Sequence, residues 1–527
     1  MRSISPMRRR HAITALILAL ASFPGAGCGR DEPLPELPED PLEYTATRVP
    51  EPTLHWQGEM AGEVTRSSAI LRARLSVDGE VHFFDVEGRS GLAAFAFSAD
   101  EDLRDASRTR WMLASPAGDY IAKTKLTRLQ PGTRYFYSLL SRASAEARVE
   151  AGPTGTFRTL DVENVARELS FAVVTGMNEL AFRFKSKAEN KELGYPALET
   201  LVAHEPDFLV ATGDNVYYDT PAIGRARTRD SMRARWHRQF ATPRFAAFFQ
   251  RVPVYWQKDD HDYRYNDADP HGPLEPSHEL GAGVFLEQVP VVAPGDESAL
   301  PYRTHRINRL LQIWLLEGRD YRDANTAPPG PDKTMWGREQ RRWLEESLLE
   351  SDATFKILVS PTPMIGPDDK MTGTQGGIFS RLLGSSAIGQ GGDDRKRDNH
   401  TNPYGFRDEA ESFFAWLTEN GFLHRNFYIV CGDRHWQYHS IRPDGFEEFS
   451  AGALVDGNAR LGPRPGDPMS TDPEARISQP YTQEPESGGF LKVTVTPAAG
   501  DTPAVASFAF YDEKGALLHS TERMALP

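Results

Sequence analysis

The segment DFLVATGDNVYYD, residues 207–219, decides the fold of this chain. Its first part is an apolar run of strand length, and a glycine followed by an aspartate ends it. The pattern predicts a buried strand that leads into a polar loop, with Asp214 at the strand end and Tyr217 three residues later. Ligands of open α/β sheets bind beyond the carboxyl ends of strands, so the segment predicts a binding site. The alternative is a turn in which Asp214 caps a helix and the aromatic residues pack.

A second apolar run, VPVYWQ (252–257), leads into the segment KDDHDYRYND. Residues 259–262 are four consecutive ionisable groups, and such groups at the end of a buried strand repel one another unless a cation lies among them. The presence of His261 favours a metal or catalytic site over a solvated loop. Asn266 supplies a further oxygen donor nearby.

The third segment is NFYIVCGDRHWQYHS, residues 426–440. Asp433 and His435 are separated by one residue after the strand, so both side chains can point to one side of the strand end. We interpret Cys431 as a buried strand residue and His439 as structural.

These groups together are sufficient for two metal ions ~3.5–4 Å apart, which would activate water for attack on a phosphoryl group. A tyrosine, with a reference pKa of about 10, binds divalent ions poorly, so Tyr217 indicates a trivalent ion such as ferric iron. The sequence has no Walker loop, G-x-S-x-G elbow, His-Glu-x-x-His motif or paired C-x-x-C motif.

The rhythm of the chain after Thr159 predicts an α/β domain in which apolar strands alternate with helices. Apolar runs occur at 169–174, 207–212, 252–257, 310–317, 355–360 and 426–433, and helical spacing occurs at 194–205, 231–250 and 337–351. Before Thr159, short alternating runs such as EVHFFDVEG (80–88) and TRYFYSLLS (133–141) predict a small all-β domain. The Gly-rich segment 384–400 predicts a long mobile loop, and a lid is one interpretation of this loop.

The N-terminus is predicted to be an export signal, residues 1–28, because a basic segment precedes an apolar run too short to span a bilayer. Small residues then lead to Cys28, which predicts a lipoprotein signal with lipid on Cys28, although the arginine triplet also allows a twin-arginine route besides the Sec route. Plain secretion is the alternative. Residues 29–48 form an acidic, Pro-rich linker. We therefore expect a periplasmic or cell-surface protein.

The chain has 527 residues and a net charge of -14. This acidity argues against binding to duplex nucleic acid, where positive charge supplies most of the affinity. No protein partner is predicted. The expected partners are a phosphorylated small molecule or phosphodiester substrate and, through Cys28, a membrane.

Taken in order, the three segments resemble those of the PhoD-type alkaline phosphatases in the calcineurin-like metallophosphoesterase superfamily. GDNVYYD resembles the family's GD-x-x-Y motif, KDDHD its DDH-D/E motif and CGDRH its closing GD-x-H motif. LLEGRDYRD and MWGREQRRWLEESLLESDATFKILVSPTPM, both between the second and third motifs, also resemble family segments. The resemblance covers roughly residues 50 to 520.

The resemblance implies a four-layer αββα core over residues 165–520, preceded by a fibronectin-like or Ig-like β-sandwich over residues 49–160. It implies hydrolysis of phosphate monoesters or diesters with ferric iron and calcium. The resemblance also implies that Asp214 bridges the metals and Tyr217 binds iron. Asp260 would bind the second metal, and Asp433 and His435 would complete the metal shell. His261 would act as an acid or stabilise the transition state. Phosphate clamps are expected at Arg319 and Arg322, with salt bridges as the alternative, and substrate binding at Asn266.

One position departs from the family. The Ser-Cys pair that usually follows the first core strand, with the Cys on iron, is here Thr175-Gly176. Asn178 or Glu179 is then the candidate replacement ligand, and Ser360, Thr362 and Asn399 are candidates for a further ligand.

Three functions follow from these observations. The first is an exported metal-dependent phosphoesterase. The second is a catalytically degenerate surface lipoprotein that binds metal or carbohydrate, which the missing Cys at Gly176 suggests. The third is a hydrolase of phospholipid head groups, which the predicted membrane tether suggests.

Overall fold

A computed structural model describes residues 55–296, 299–371 and 395–526. The predicted export signal, Cys28, the acidic linker and residues 384–394 of the predicted mobile loop lie outside these ranges. All described residues belong to one compact unit, Tyr44–Pro527. Among the described residues, no helix has both the length and the apolar character needed to cross a membrane.

From residue 55 to residue 160 the chain is built mainly of strands. Those within the described ranges are β1 His55–Gly62, β2 Ser68–His82, β3 Asp85–Gly88, β4 Gly91–Ser98, β5 Ser107–Arg108, β6 Met112–Ala114, β7 Ile121–Thr127, β8 Arg134–Arg142, β9 Glu150–Ala151 and β10 Gly155–Arg158.

The rest of the chain combines strands and helices. The strands are β11 Leu169–Val174, β12 Phe208–Ala211, β13 Val254–Trp256, β14 Arg303–Arg306, β15 Leu311–Leu315, β16 Phe355–Ser360, β17 Phe427–Cys431, β18 Gln437–Ile441, β19 Glu447–Ala451, β20 Ser478–Thr482, β21 Gly489–Thr496, β22 Val505–Asp512 and β23 Leu517–Met524. The helices in the described ranges are α1 Glu179–Lys185, α2 Pro196–Ala203, α3 Arg229–Phe240, α4 Pro243–Phe249, α5 His278–Gln288, α6 Gly337–Glu350 and α7 Arg407–Glu419.

Three sheets organise these strands. A ten-stranded sheet has the order β23-β22-β21-β11-β12-β13-β1-β2-β3, with β7 also paired to β2. A seven-stranded sheet has the order β14-β15-β16-β17-β19-β18-β20. A six-stranded sheet has the order β10-β8-β4-β5, with β6 on β4 and β9 on β8. The pair Gly62 and Val254 joins β1 to β13, so the N-terminal strands continue a sheet of the α/β region.

Alternation along the strands explains how two of the sheets are covered. Phe171 and Val173 of β11 share a buried cluster with Ile313 and Ile357 of the seven-stranded sheet. The intervening residues of β11 point to the opposite face, where the buried cluster includes side chains of α2 to α5. The outer face of the seven-stranded sheet packs on α6 and α7. Strands covered on both faces give the unbroken apolar runs of the sequence.

The mixed α/β fold confirms the prediction at this level, with two local differences. The predicted helix over 231–250 is two helices, α3 and α4, because Pro243 lacks the amide hydrogen that a continuous helix needs. The run EVHFFDVEG is a hairpin in which Phe83 and Phe84 form the turn between β2 and β3.

Cys431 is fully buried in β17, as predicted. His439 is buried in β18, where its Nε2 lies 2.6 Å from Glu447 Oε2, in agreement with the predicted structural role.

Candidate metal centre

The loops after β12, β13 and β17 converge because two glycines permit close contact. A Cβ on Gly213 would lie 2.4 Å from the Cβ of Asp259, in the loop after β13. A Cβ on Gly432 would lie 2.3 Å from Oγ1 of Thr212, at the end of β12. Both distances are too short for real atoms, so each Gly-Asp step requires its glycine. The three loops therefore bring their acidic residues together.

Asp214 and Asp433, the aspartates of the two Gly-Asp steps, both adopt left-handed backbone conformations, with φ of 55° and 58°. Non-glycine residues are strained in this conformation, and residues with such backbone strain are enriched at functional sites. Tyr217 donates a hydrogen bond from its hydroxyl to Asp214 Oδ2 at 2.8 Å, and Nε2 of His435 lies 3.0 Å from the same oxygen. The first and third predicted segments thus meet at one carboxylate.

The loop after β13 is held rigid by its own carboxylates. Asp262 Oδ1 accepts a hydrogen bond from the backbone amide of Asp259 at 2.7 Å. Asp260 accepts from the backbone amides of His261 at 2.9 Å and Asp267 at 2.5 Å. Asp262 Oδ2 also accepts a hydrogen bond from the backbone amide of Asn215, in the loop after β12, at 3.2 Å. Asp260 and Asp262 thus hold the loop, and Asp262 also joins it to the loop after β12.

His261 is fixed by two contacts. Its Nδ1 lies 2.8 Å from Oδ1 of Asp219, and its ring stacks on that of Tyr217 with centroids 4.1 Å apart. A histidine whose Nδ1 is held by a carboxylate keeps Nε2 for exchange of a proton with a ligand. Asp219 is the last residue of the first segment and was not assigned a role from the sequence.

Within the described ranges, two groups of three side chains have the spacing of metal ligands. In each group, one ligand atom from every residue lies within 4.8 Å of the others; the groups are Asp214, Asp260 and His261, and Asp259, Asp260 and Asp433. Asp260 belongs to both groups. We call Asp214, Asp259, Asp260 and Asp433 the acidic cluster.

The acidic cluster has unsatisfied oxygens. Among the described residues, no hydrogen-bond partner reaches the buried Oδ1 of Asp214 or the buried Oδ2 of Asp259. Buried carboxylate oxygens without donors are costly, and oxygen ligands suit hard metal ions. The donor set of the cluster therefore fits bound metal ions.

The pKa shifts within the cluster also indicate that it fits a bound cation. Burial raises the pKa of Asp214 well above its usual value, and the charges of Asp260 and Asp259 raise it further against the opposing effect of His261. Burial also raises the pKa of Asp259 to about 8, although Arg319 opposes this shift. The positive charges of Arg319 and His261 do not offset the burial of these two carboxyl groups, and a bound cation would supply the additional positive charge.

Asp260 and the histidines behave differently. Burial opposes ionisation of Asp260, but His261 and Arg319 outweigh it and hold its pKa below the usual value. Burial lowers the pKa of His261, yet Asp219, Asp260 and Asp214 together raise it well above the usual value. Burial keeps the pKa of His435 well below its usual value, so this imidazole is neutral, as a metal ligand must be.

The predicted arginine clamps occupy other places. Arg319 is fully buried and donates from Nε to Asp259 Oδ1 at 2.6 Å. Arg322 is 1% exposed and donates to the backbone oxygens of Gly318 and Asp398. Neither arginine is among the described residues that line the cavity of the site. Arg319 thus corresponds to the salt-bridge alternative, and the structure does not bring Arg322 to the substrate side.

Asn178 and Asn266 both line the cavity. Asn178 Oδ1 caps α1 by accepting a hydrogen bond from the amide of Ala181 at 2.9 Å, which uses one of the two lone pairs of this oxygen. Asn266 donates its backbone amide to Asp219 at 2.8 Å. The candidate ligands Ser360, Thr362 and Asn399 are buried and are absent from the described cavity lining.

Gly176, at the position of the family's Cys, has φ of 68° and is closely packed. A Cβ there would lie 3.0 Å from that of Ala453 and 3.3 Å from Nδ2 of Asn458. Asn458 donates to the Tyr217 hydroxyl at 2.8 Å. An amide from a loop 241 residues away in sequence thus approaches the tyrosine where the family places a thiolate.

The acidic cluster opens into a cavity of about 1380 Å³. Its described lining includes Asp214, Tyr217, Asp260, His261, Asp433 and His435, together with basic and apolar side chains. Sequence reasoning did not assign Asp259, Asp219 or Asn458. Asp259 and Asp219 lie inside the quoted segments, whereas no local signal marks Asn458.

Comparison with known proteins agrees with this description. A solved structure entitled "Structure of PhoD" is similar with a TM-score of 0.64 at 19% identity, covering 88% of this chain and 92% of that chain. A purple acid phosphatase isolated from yellow lupin (Lupinus luteus) seeds is similar with a TM-score of 0.52 at 12% identity, covering 89% of this chain and 74% of the other. The chain thus shares its fold with these two proteins.

Two family models identify the family. The model for the PhoD-like phosphatase matches residues 172–496, and the model for the PhoD-like phosphatase N-terminal domain matches residues 45–161. The chain belongs to the PhoD-like phosphatase family. Alkaline phosphatase D of Bacillus subtilis (strain 168) is 22% identical over 334 residues, which is 57% of this chain and 54% of the relative. The match thus spans about half the length of that curated relative.

Proposed function

We propose that this protein is an exported, metal-dependent phosphoesterase that hydrolyses phosphate monoesters, diesters or both. The observation that carries the proposal is the acidic cluster, in which two ligand groups share Asp260 and two buried carboxylate oxygens have no donor among the described residues. Membership of a phosphatase family supports the same reaction class.

We assign the metal ligands as Asp214, Tyr217, Asp260, Asp433 and His435, with Asp259 added from its place in the second ligand group. Bound metal ions would polarise a phosphoryl group and lower the pKa of water. His261 would hold or donate a proton at Nε2 beside the leaving group, since Asp219 fixes its Nδ1. Arg319 would support Asp259 from behind the cavity.

Iron and calcium are the proposed metals, with iron resting on Tyr217. The hydrogen bonds of Tyr217 to Asp214 and from Asn458 keep its oxygen at the cluster. Burial and the charge of Asp214 raise the pKa of this phenol well above its usual value, so only a strongly polarising cation would favour the phenolate.

The proposal includes the four-layer αββα core over 165–520 and an N-terminal β-sandwich over 49–160. The sharing of one buried cluster by the ten- and seven-stranded sheets supports the first. A second cluster that combines residues of β1, β2 and β7 with residues of β4, β8 and β10 supports the other. Export, the signal over 1–28, the linker over 29–48 and lipid on Cys28 remain parts of the proposal that rest on the sequence.

The test is hydrolysis of p-nitrophenyl phosphate and bis(p-nitrophenyl) phosphate while metals are titrated into metal-free protein. Turnover that depends on metal would support the proposal. Absence of turnover with every metal, together with less than one bound ion per chain, would contradict it and favour a catalytically degenerate protein.

A further inference from the structure

Among the described residues, four large apolar side chains that line the cavity are each at least 69% exposed to solvent. Their exposed fractions are 100% for Phe83, 79% for Phe84, 80% for Phe184 and 69% for Ile223, and all four line the cavity that holds the acidic cluster. We call these four residues the apolar rim. Single exposed apolar residues are ordinary, but a group of them at one cavity marks a binding surface.

The turn that carries Phe83 and Phe84 is built against backbone preference. It is a two-residue hairpin loop between the paired residues His82 and Asp85. Both phenylalanines have positive φ, 48° and 78°, a conformation for which such turns normally use Asn and Gly. Bulky residues are strained there, and neither ring is buried, so folding gains little from either side chain. Strain without a folding benefit indicates a functional reason for the two rings.

The turn is also anchored at the cavity. Asp85 Oδ1 lies 2.6 Å from Nδ1 of His237 on α3, and Arg238 on α3 donates to the backbone oxygen of Phe84 at 3.5 Å. Arg238 also donates to Glu179 of α1 at 2.7 Å, the helix that carries Phe184. These contacts connect the hairpin of the N-terminal region to two helices of the cavity wall.

The described lining also includes basic side chains, among them Arg183, Arg235 and Arg460. The cavity therefore combines an acidic metal-ligand group, basic side chains that can bind a phosphate group, and an apolar rim. A phosphate group alone needs only the first two. The volume of about 1380 Å³ exceeds the ~300–1,000 Å³ usual for small-molecule sites, so a longer ligand can be accommodated.

We propose that the apolar rim binds the hydrophobic part of an amphiphilic phosphoester whose phosphate lies at the acidic cluster. The substrate class is then phosphoesters with a long alkyl chain or an aromatic group. This inference rests on the proposed phosphoesterase function and specifies its substrate. It concerns single amphiphile molecules rather than insertion of the rim into a bilayer.

The experiment compares methyl p-nitrophenyl phosphate with octyl p-nitrophenyl phosphate, each below its micelle concentration, with metal-loaded protein. The two diesters share a leaving group, so the comparison isolates the chain. We expect KM to be at least about tenfold lower for the octyl ester, because each buried methylene favours binding. In the variant F83S/F84S/F184S, the ratio of the two KM values should fall to about one.

The matched control is L517S/M524S, which removes two exposed apolar residues on β23 that are not among the described cavity residues. This variant should keep the wild-type ratio. An unchanged ratio in the triple rim variant, or no chain-length preference in the wild-type protein, would overturn the proposal. Hydrolysis of phosphatidylcholine vesicles without any preference among the soluble esters would also overturn it and indicate a membrane-docking surface.

A binding arm separates failure of this inference from failure of the proposed function. If neither ester is hydrolysed with any metal, and p-nitrophenyl phosphate is not hydrolysed either, the phosphoesterase proposal fails. Calorimetric titration with octylphosphonate and methylphosphonate then still tests the rim: tighter binding of octylphosphonate that is lost in the triple variant supports the rim, and equal binding overturns it.

Discussion

Two buried polar clusters in this protein differ in how the charge of their carboxylates is balanced. Where the N-terminal strands meet α3 and α5, Asp119 accepts hydrogen bonds from Gln288 at 2.5 Å and from Arg74 at 3.4 Å, and Nε2 of His237 lies 2.7 Å away. We call Arg74, Asp119, His237 and Gln288 the interface network. In the acidic cluster, by contrast, carboxylates face one another and two of their oxygens have no donor among the described residues.

The pKa values follow the same division. Burial opposes ionisation of Asp119, but His237 and Arg74 outweigh it and lower its pKa below the usual value. Burial raises the pKa of Asp214, and the neighbouring carboxylates add to the shift. A buried charge that is fully matched within the chain is structural. A buried charge that is not matched requires a partner from outside, which here we propose to be metal ions.

The largest expected effect is the loss of activity in Asp214→Asn, a substitution in the acidic cluster. Asparagine tolerates the left-handed backbone and resembles the protonated carboxyl group, so the metal-free protein should unfold at the same urea concentration as wild type. Activity should fall by at least about 10³-fold, or about 4 kcal/mol, because one of the proposed metal ligands is lost. Steady-state kinetics and urea unfolding monitor the two effects.

Retention of wild-type activity and metal content in Asp214→Asn would contradict the assignment of Asp214. A matched control is Asp102→Asn on the surface, which should change neither measurement.

The converse test is Asp119→Asn in the interface network. Removing the negative charge leaves the buried Arg74 without its carboxylate and His237 with Asp85 alone, so the free energy of unfolding should fall by about 3 kcal/mol. Metal binding per folded molecule should stay at the wild-type value. Equal stability of the variant and wild type in urea titrations would show that the network is not a matched structural pair.

Glu59 is a buried carboxyl group that belongs to neither metal-ligand group. Among the described residues, its Oε2 has no hydrogen-bond partner. Burial raises its pKa from 4.5 to about 8. Between these pH values the folded state holds a proton that the unfolded state has lost, so stability falls as pH rises. Glu59→Gln should remove this dependence and stabilise the protein at pH 8 by on the order of 2 kcal/mol.

Thermal or urea unfolding of Glu59→Gln and wild type from pH 5 to pH 8 provides the measurement, about the range of the shift above. Parallel stability curves across this range would mean that Glu59 is ionised in the folded protein.

The smallest expected effect is that of Asp219→Asn, which changes the residue that holds His261 rather than a metal ligand. We expect kcat to fall by about tenfold, or about 1.4 kcal/mol, as for other residues that orient a site group. The loss should be larger for phenyl phosphate than for p-nitrophenyl phosphate, because the poorer leaving group needs a proton more. An equal loss for both substrates would limit Asp219 to a structural role.

The sequence predicted the three segments of the site because each is local. An apolar run that ends in Gly-Asp or Asp-Asp-His predicts both the strand and the polar loop after it. The structure brings Asp214, Asp260 and His435 together. The roles of these residues remain predictions. The mixed α/β fold and the family were also predictable, the first from strand and helix periodicity and the second from the order of the motifs.

Features that depend on distant contacts were not predictable in the same way. Arginines near an acidic segment can face either a substrate or the protein, and only the fold shows that Arg319 is behind Asp259. Asn458 approaches Tyr217 from far along the chain. The two turn positions, Phe83 and Phe84, lack the Gly, Asn or Asp that usually marks such a turn, so the sequence pattern favoured a strand.

The central claim is that the acidic cluster is a two-metal site, and metal analysis tests it most directly. Wild type and Asp214→Asn, exported by the same cells, would be purified without chelator and examined by elemental analysis and absorption spectroscopy. We predict about two ions per wild-type chain, fewer than one in the variant, and a tyrosinate-to-iron charge-transfer band in wild type if Tyr217 binds ferric iron. Equal metal content near zero in both proteins would contradict the account.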